Sequence, residues 1–260
     1  MSIIRQLESR RVLVVGGGQQ DYGIQDAPIG NGRAMSVLFG RQGAAVAVAD
    51  IDALSAEATA SLVRAEGGLA VTTVGDAAEE QQLQRMFGEA AAGLGGLDGL
   101  VMNVGIAAGI GFQGTSVEDW DRVMAVNLRS HFLGCKGALL SFKEGGSVVL
   151  VGSLAGRESM PLPAYAASKA ALEAVCRNAA FEGAPGVRLN VLVPGLIDTP
   201  LGRMATNLNP GRAEVRIPAR REGSAWEVAQ CAAFLLSDQA SYVTGQALVV
   251  DGGLSVAMRT

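Results

Sequence analysis

Short apolar runs rich in β-branched residues alternate with longer stretches whose apolar positions recur every three or four residues, from one end of the chain to the other. The runs at 12–15 (VLVV), 44–49, 69–74, 97–102, 146–151, 187–193 and 247–250 predict strands. The longer stretches predict helices near 31–42, 53–66, 79–93, 118–142, 163–182 and 225–237. The strand runs are apolar throughout rather than alternating, the pattern of parallel strands covered on both faces. Repeated βα units of this kind predict an α/β fold, a doubly wound Rossmann-type parallel sheet of about seven strands with helices on both faces. Without a linker, a repeat or a low-complexity tract, residues 1–260 read as a single domain.

Two segments break the alternation. Residues 16–30 (GGGQQDYGIQDAPIG) form a long loop after the first strand, and residues 195–224 separate the sixth strand from the next helix. Loops of that length inside a compact domain are usually functional. Both leave the carboxyl ends of strands, where open α/β sheets place their ligands.

Composition narrows the function. A chain of 260 residues suits one large α/β domain. Its 35 glycines and 5% aromatics favour strands and helices in close contact. A net charge of -4 gives no electrostatic footprint for nucleic acid or an anionic membrane. The short basic cluster at Arg216, Arg220 and Arg221 reads as a solvated loop. Cys135, Cys176 and Cys231 are scattered and odd in number, so they read as reduced core thiols rather than a disulfide framework or a zinc site. No metal site is expected. Neither a secretory leader nor a membrane-spanning run is visible, so the expectation is a cytoplasmic protein. His131, the single histidine, reads as a packing residue. Asp98 and Asp121 lack a carboxylate partner at a useful spacing, and Trp120 and Trp226 read as apolar staples at helix starts.

The chemistry begins at the first turn. Gly16, Gly17 and Gly18 follow the first strand, and Gly30, Asn31 and Gly32 open the next helix. Such residues let the backbone approach a pyrophosphate resting on the helix N-terminus. The second strand ends on Asp50, placed to accept hydrogen bonds from adenosine ribose hydroxyls and to repel a 2′-phosphate. No Arg or Lys adjoins it in sequence, so NAD is favoured over NADP. Tyr165 and Lys169, four apart in a helical pattern, fall on one helix face. A free tyrosine titrates near pH ~10, and a neighbouring ammonium favours its phenolate. With three Tyr and three Lys in the chain, chance gives roughly 0.03 such pairs.

The segment SLAGRESMPLPAYAASKAAL resembles the Ser…Tyr-x-x-x-Lys core of the short-chain dehydrogenase/reductase family. NVG at 103–105, VNL at 126–128, PGLIDT at 194–199 and YVTGQALVVDGG at 242–253 extend the resemblance over almost the whole chain in order. It implies an NAD-dependent oxidoreductase interconverting a secondary alcohol and a ketone. Tyr165 would be the general acid/base. Lys169 would hold the nicotinamide ribose and lower the Tyr165 pKa, Ser153 would bind the substrate oxygen, and Asn127 would hold a water of the proton relay. The resemblance also places Ile51 beside Asp50, Asp76 and Ala77 at the adenine, and Asn103, Val104 and Gly105 on the adenosine side. Pro194, Gly195, Ile197 and Thr199 would lie at the nicotinamide. It further implies a homotetramer or homodimer packed through helices 118–142 and 163–182 and the C-terminal strand.

Two readings stay open beside this one: a 3-oxoacyl-thioester reductase, and an NAD-binding sensor without turnover. The pocket is expected near Leu154, Ala155, Met160, Leu196, Leu201 and Met204, which suggests an apolar alcohol or ketone and no strongly anionic substrate. The chain departs from the family pattern at its glycine turn, where about nine or ten residues are inserted before Gly30. Asp21 and Asp26 in that insertion stand in turn-forming contexts and are expected to cap turns. Met102 and Val104 replace the motif's usual Asn and Ala.

Overall fold

The computed structural model describes residues 5–142 and 144–257. Seven parallel strands form one sheet in the order β3-β2-β1-β4-β5-β6-β9. They are β1 (Arg11–Val15), β2 (Ala45–Asp50), β3 (Ala70–Val74), β4 (Gly99–Met102), β5 (Gly146–Val151), β6 (Val187–Pro194) and β9 (Ala247–Val250). The order reverses between β1 and β4, the kind of switch point where open α/β sheets open a crevice.

Alternation along each strand builds the two layers. Val12 and Val14 join one core with Met35, Phe39, Val46, Val48 and Val149. Leu13 and Val15 point the other way, into a core with Leu83, Met86, Phe87, Leu100 and Met102. The first core is covered by α1 (Asn31–Arg41), α2 (Ala53–Ala65) and α8 (Ala225–Leu236). The second lies under α3 (Glu80–Leu94), α5 (Ser130–Ser141) and α6 (Pro163–Gly183). Cys135 and Cys176 are buried there, as expected, while Cys231 is half-buried; all three are free thiols.

Two expectations need correction. Residues 118–142 are not one uniform α-helix. They run as α4 (Val117–Met124), a π-helical turn at Ala125–Arg129, and α5. Apolar periodicity cannot register one wide turn, and such turns commonly mark functional positions; this one carries Asn127. Nor is 195–224 a plain loop. It contains β7 (Ile197–Asp198), α7 (Pro200–Leu208), a 3₁₀ turn at Pro210–Glu214, and β8 (Gly223–Ser224). β7 and β8 pair in parallel, so the segment leaves and rejoins the body through one short ladder.

Candidate active site and cofactor cleft

The glycine turn is fixed by its neighbours. The Gly16 and Gly17 amides both donate to the Ala49 carbonyl, and Asn103 Nδ2 donates to the Gly16 carbonyl at 2.8 Å. Gly16 is left-handed (φ 76), which favours glycine. A Cβ at Gly32 would lie 1.9 Å from the Gly16 oxygen, so the start of α1 sits directly on the turn. That helix begins without a side-chain cap or an acidic residue in its first turn. Its leading N–H groups thus remain available to an anion. Asn31 Oδ1 is buried there without a hydrogen-bond partner. The uncapped helix start and the close glycine turn fit a dinucleotide pyrophosphate; Asn31 Oδ1, an acceptor, would instead need a donor such as a hydroxyl or water.

The residues expected at the adenosine have partners that the sequence does not reveal. Asp50 Oδ2 accepts the Gly18 amide at 2.9 Å and Oδ1 accepts the Asp52 amide, while Asp52 itself caps α2. Ile51 is exposed. No basic residue adjoins Asp50 in sequence, but α1 brings Arg33 close enough for Asp50 and Asp21 to raise its pKa against a larger lowering by burial. Arg33 Nε is held by Thr59 at 2.9 Å. Asp76 caps its own turn through the Ala78 amide, beside buried Ala77. Val104 packs on Gly16, with its amide 2.9 Å from where a Cβ there would lie.

The insertion is stitched at its neck. The Gln19 backbone exchanges hydrogen bonds with Ser55, and Gln19 Oε1 accepts the Gly30 amide at 2.8 Å. Asp21 accepts from the Gln19 side chain rather than from turn backbone, and Asp26, left-handed at φ 49, makes no side-chain hydrogen bond. The expected Asp caps are therefore absent. A glutamine closes the loop instead.

Asn127, Ser153, Tyr165 and Lys169 gather beyond the ends of β4 and β5. Asn127 is fully buried: Oδ1 accepts the Ile106 amide at 2.8 Å, and Nδ2 donates to the Ile106 carbonyl and to Ser168. Lys169 Nζ donates to the Val151 carbonyl at 2.9 Å and lies 5.9 Å from the Tyr165 ring centroid. A Cβ at Gly105 would come within 3.3 Å of that Nζ. Ser153 opens a 3₁₀ turn at Leu154–Gly156 and accepts the Ala155 amide.

Burial pushes the Tyr165 phenol up; its hydrogen bond with Ser153 pulls it down, Tyr22 of the insertion raises it and Arg212 lowers it. The downward pull thus comes from Ser153 and Arg212 rather than from the expected Lys169. Burial instead lowers Lys169 itself to about 8. His131 is buried, with Nδ1 against Ser130 and Nε2 unpartnered, and burial followed by the Lys169 charge holds it far below its usual value.

The Lys169 shift has a consequence for stability. Its folded pKa is about 8 against 10.5 when free, so the folded chain binds that proton more weakly than the unfolded one. The penalty, about 3 kcal/mol, is fully present below pH ~8 and fades as pH rises toward ~10.5. Lys169→Met should therefore raise Tm at pH ~7, with an advantage that shrinks toward pH ~10. Thermal unfolding of the two proteins across that range checks it; a pH-independent difference would contradict it.

At the positions expected to meet the nicotinamide, Gly195 approaches Asp251 so closely that a Cβ would meet it at 2.6 Å, and Pro194 pairs with Val250. Ile197 is buried, and Thr199 Oγ1 caps α7 through the Gly202 amide. Next to this stretch lies a cavity of about 860 Å³, walled by Ile24 from the insertion, Leu196, Asp198, and five arginines: 203, 212, 216, 220 and 221. Of the six residues expected to form an apolar wall, Leu196 alone lines it. Leu154 and Ala155 are instead buried in the body, because the 3₁₀ turn after Ser153 folds them inward. The cavity is therefore not the one expected around those six residues; it mixes the arginines with Ile24, Leu196, Ala213, Val215, Ile217 and Pro218. Among the described residues, no helix is long and apolar enough to cross a membrane, and no cluster of side chains suits a metal ion.

A family model described as Enoyl-(Acyl carrier protein) reductase matches residues 27–255. The chain is 34% identical over 260 residues to 2-(S)-hydroxypropyl-CoM dehydrogenase 3 of Xanthobacter autotrophicus strain Py2, covering 96% of this chain and 98% of that protein. It is 36% identical over 242 residues to the short-chain dehydrogenase/reductase eriH of Hericium erinaceus, covering 88% and 95%. Its fold matches the crystal structure of levodione reductase with a TM-score of 0.89 at 31% identity, over 97% of this chain and 100% of that one. The sheet order, the glycine cleft, the gathered Ser153, Tyr165 and Lys169, and these likenesses lead to one conclusion: the chain belongs to the short-chain dehydrogenase/reductase family of oxidoreductases, which act on CH–OH groups with a nicotinamide cofactor.

Proposed function

We propose that this protein interconverts a secondary alcohol and a ketone with NAD, using Tyr165 as general acid/base. The observation that carries the reading is the meeting of Ser153, Tyr165 and Lys169 beside a glycine turn fitted to a pyrophosphate. When bound, the nicotinamide supplies the site that accepts or returns a hydride. The chain supplies position and a proton. In oxidation the Tyr165 oxygen, as phenolate, takes the hydroxyl proton of the alcohol; in reduction the phenol returns it to the carbonyl oxygen. Ser153 orients that oxygen. Lys169, anchored on Val151, stands next to Tyr165 where ribose hydroxyls would come. Asn127 clamps Ile106 with both polar atoms and so acts as a positioning residue for the backbone over the cleft.

Asp50 supports NAD over NADP: its carboxylate stands at the end of β2, where a 2′-phosphate would have to come. Arg33 nearby is tied to Thr59 and offsets that charge only in part. Steady-state kinetics with both cofactors test this. The expected result is a higher kcat/KM with NAD; a higher value with NADP would overturn the assignment. The same reading implies a cytoplasmic protein that assembles as a homotetramer or homodimer. Exposed Phe132 and Leu140 on α5, Phe181 on α6 and Tyr242 before β9 support such an assembly. A monomeric mass by light scattering at micromolar concentration would contradict it.

A further inference from the structure

The arginine-walled cavity has more positive charge than its own carboxylates use. Five arginines line it against two carboxylates, Asp198 and Glu222. Arg203 forms a two-pronged pair with Asp198, at 2.7 and 3.0 Å. Arg212 bonds Glu222 at 3.0 Å and Thr206 at 2.7 Å. Arg221 forms a two-pronged pair with Glu227, which is at the same time held by Ser224 at the start of α8. The guanidinium groups of Arg216 and Arg220, both exposed residues, by contrast have no hydrogen-bond or ion-pair partner among the described residues, yet both line the cavity. Arg220 is held there in a left-handed backbone (φ 60), at the end of a turn whose amide bonds Ile217 and whose Ala219 amide bonds Gly252. A non-glycine residue in that region is strained, and such strain concentrates at functional positions.

We propose that this cavity is the substrate's second anchoring point, and that Arg216 and Arg220 there bind an anionic group, a carboxylate or its sulfonate or phosphate equivalent, on the alcohol or ketone. Guanidinium groups suit such oxygens because their planar donors can meet two at once. The volume is in the range of small-molecule pockets. Its position agrees with a substrate role. Leu196 and Asp198 flank Ile197, and the wall residue Arg212 is near enough to Tyr165 to favour its phenolate. The inserted segment completes the same wall with Ile24. The cofactor's phosphates are the alternative occupant to exclude, because Ile24 belongs to the insertion closed on Gly30, and a Cβ at Gly30 would lie 3.9 Å from Pro200 at the head of α7.

This inference rests on the oxidoreductase reading above, and its test separates the two. Hydroxyalkanoates of several chain lengths, each paired with its neutral amide, are titrated calorimetrically into the protein with NADH present. At the favoured length the carboxylate should bind at least about tenfold more tightly than its amide. In the double variant Arg216→Ala/Arg220→Ala that ratio should fall to near unity, while Arg122→Ala, an exposed arginine outside the cavity, should leave it unchanged. The ratio of NAD to NADP affinities should not move in the double variant; if it moves, the arginines hold the cofactor's phosphate and the proposal fails. Equal affinity for acid and amide, no binding of either, or a preference that survives the double variant would also overturn it. An acid that binds as described but is never oxidised would leave the anion site standing and remove the oxidoreductase reading.

Discussion

Replacing Tyr165 with Phe is expected to lower kcat by at least about a thousandfold while leaving NADH affinity within about threefold. The change removes one oxygen from a half-buried ring that the rest of α6 continues to hold. Only the proton route to the substrate oxygen disappears, and general acid–base contributions fall in the range of ~10² to 10⁴. Ser153 cannot substitute, because a hydroxyl without a base beside it neither takes nor gives a proton readily near neutrality. Burial holds the Tyr165 phenol above its ordinary value against the pull of Ser153 and Arg212, so its proton is present at neutral pH. Ketone reduction should therefore run well there, and alcohol oxidation should rise as pH increases toward deprotonation of Tyr165. Turnover within about threefold of the parent protein would remove Tyr165 from the chemistry.

Gly32→Ala should abolish cofactor binding. The added methyl would sit 1.9 Å from the Gly16 carbonyl oxygen, far inside contact distance, and that carbonyl cannot retreat. Asn103 holds it from one side, and the Gly16 and Gly17 amides are tied to Ala49. Either the turn or the start of α1 must shift, and both carry the backbone that would meet the pyrophosphate. A loss of at least about 100-fold in NADH affinity is expected, about 2.7 kcal/mol. Gly88→Ala is the matched control: it lies in α3, a methyl there would meet nothing within 4 Å, and alanine favours helix. Calorimetric titration of folded protein measures both. Affinity within about twofold for Gly32→Ala would show that the turn is not where the phosphates bind.

The parts of the molecule that repeat a period were readable from the chain. Strands and helices fell within a residue or two of their places because burial on two faces imposes apolar runs and buried helix stripes. The parts that depend on through-space neighbours were not. Gly202 and the proline at the head of α7 make that helix look like loop, and its start rests on a Thr199 cap that a glycine- and proline-rich stretch conceals. Arg216 and Arg220 are exposed, as a solvated loop implies, but nothing in sequence says that 215–222 also curls around a cavity shared with Ile24. Arg33 stands far from Asp50 in sequence, and only the packing of α1 against α2 brings the two together. Likewise, the wide turn that presents Asn127 leaves no trace in the apolar pattern of a helix. A signal was available for Asn103: a polar side chain just past a strand neighbouring the glycine turn could have been read as the clamp on Gly16.

In the proposed reaction, hydride moves between a carbinol carbon and NAD in this cleft while Tyr165 handles the proton. The most direct measurement uses a hydroxyalkanoate deuterated at the carbinol carbon, NAD and the purified protein, with the isolated NADH analysed by mass spectrometry. The expected result is NADH that carries the deuterium, none when the label is instead on solvent and hydroxyl positions, and no labelled NADH from Tyr165→Phe on the same timescale. Ketone formation without deuterium in the cofactor, or label transfer undiminished in Tyr165→Phe, would contradict it.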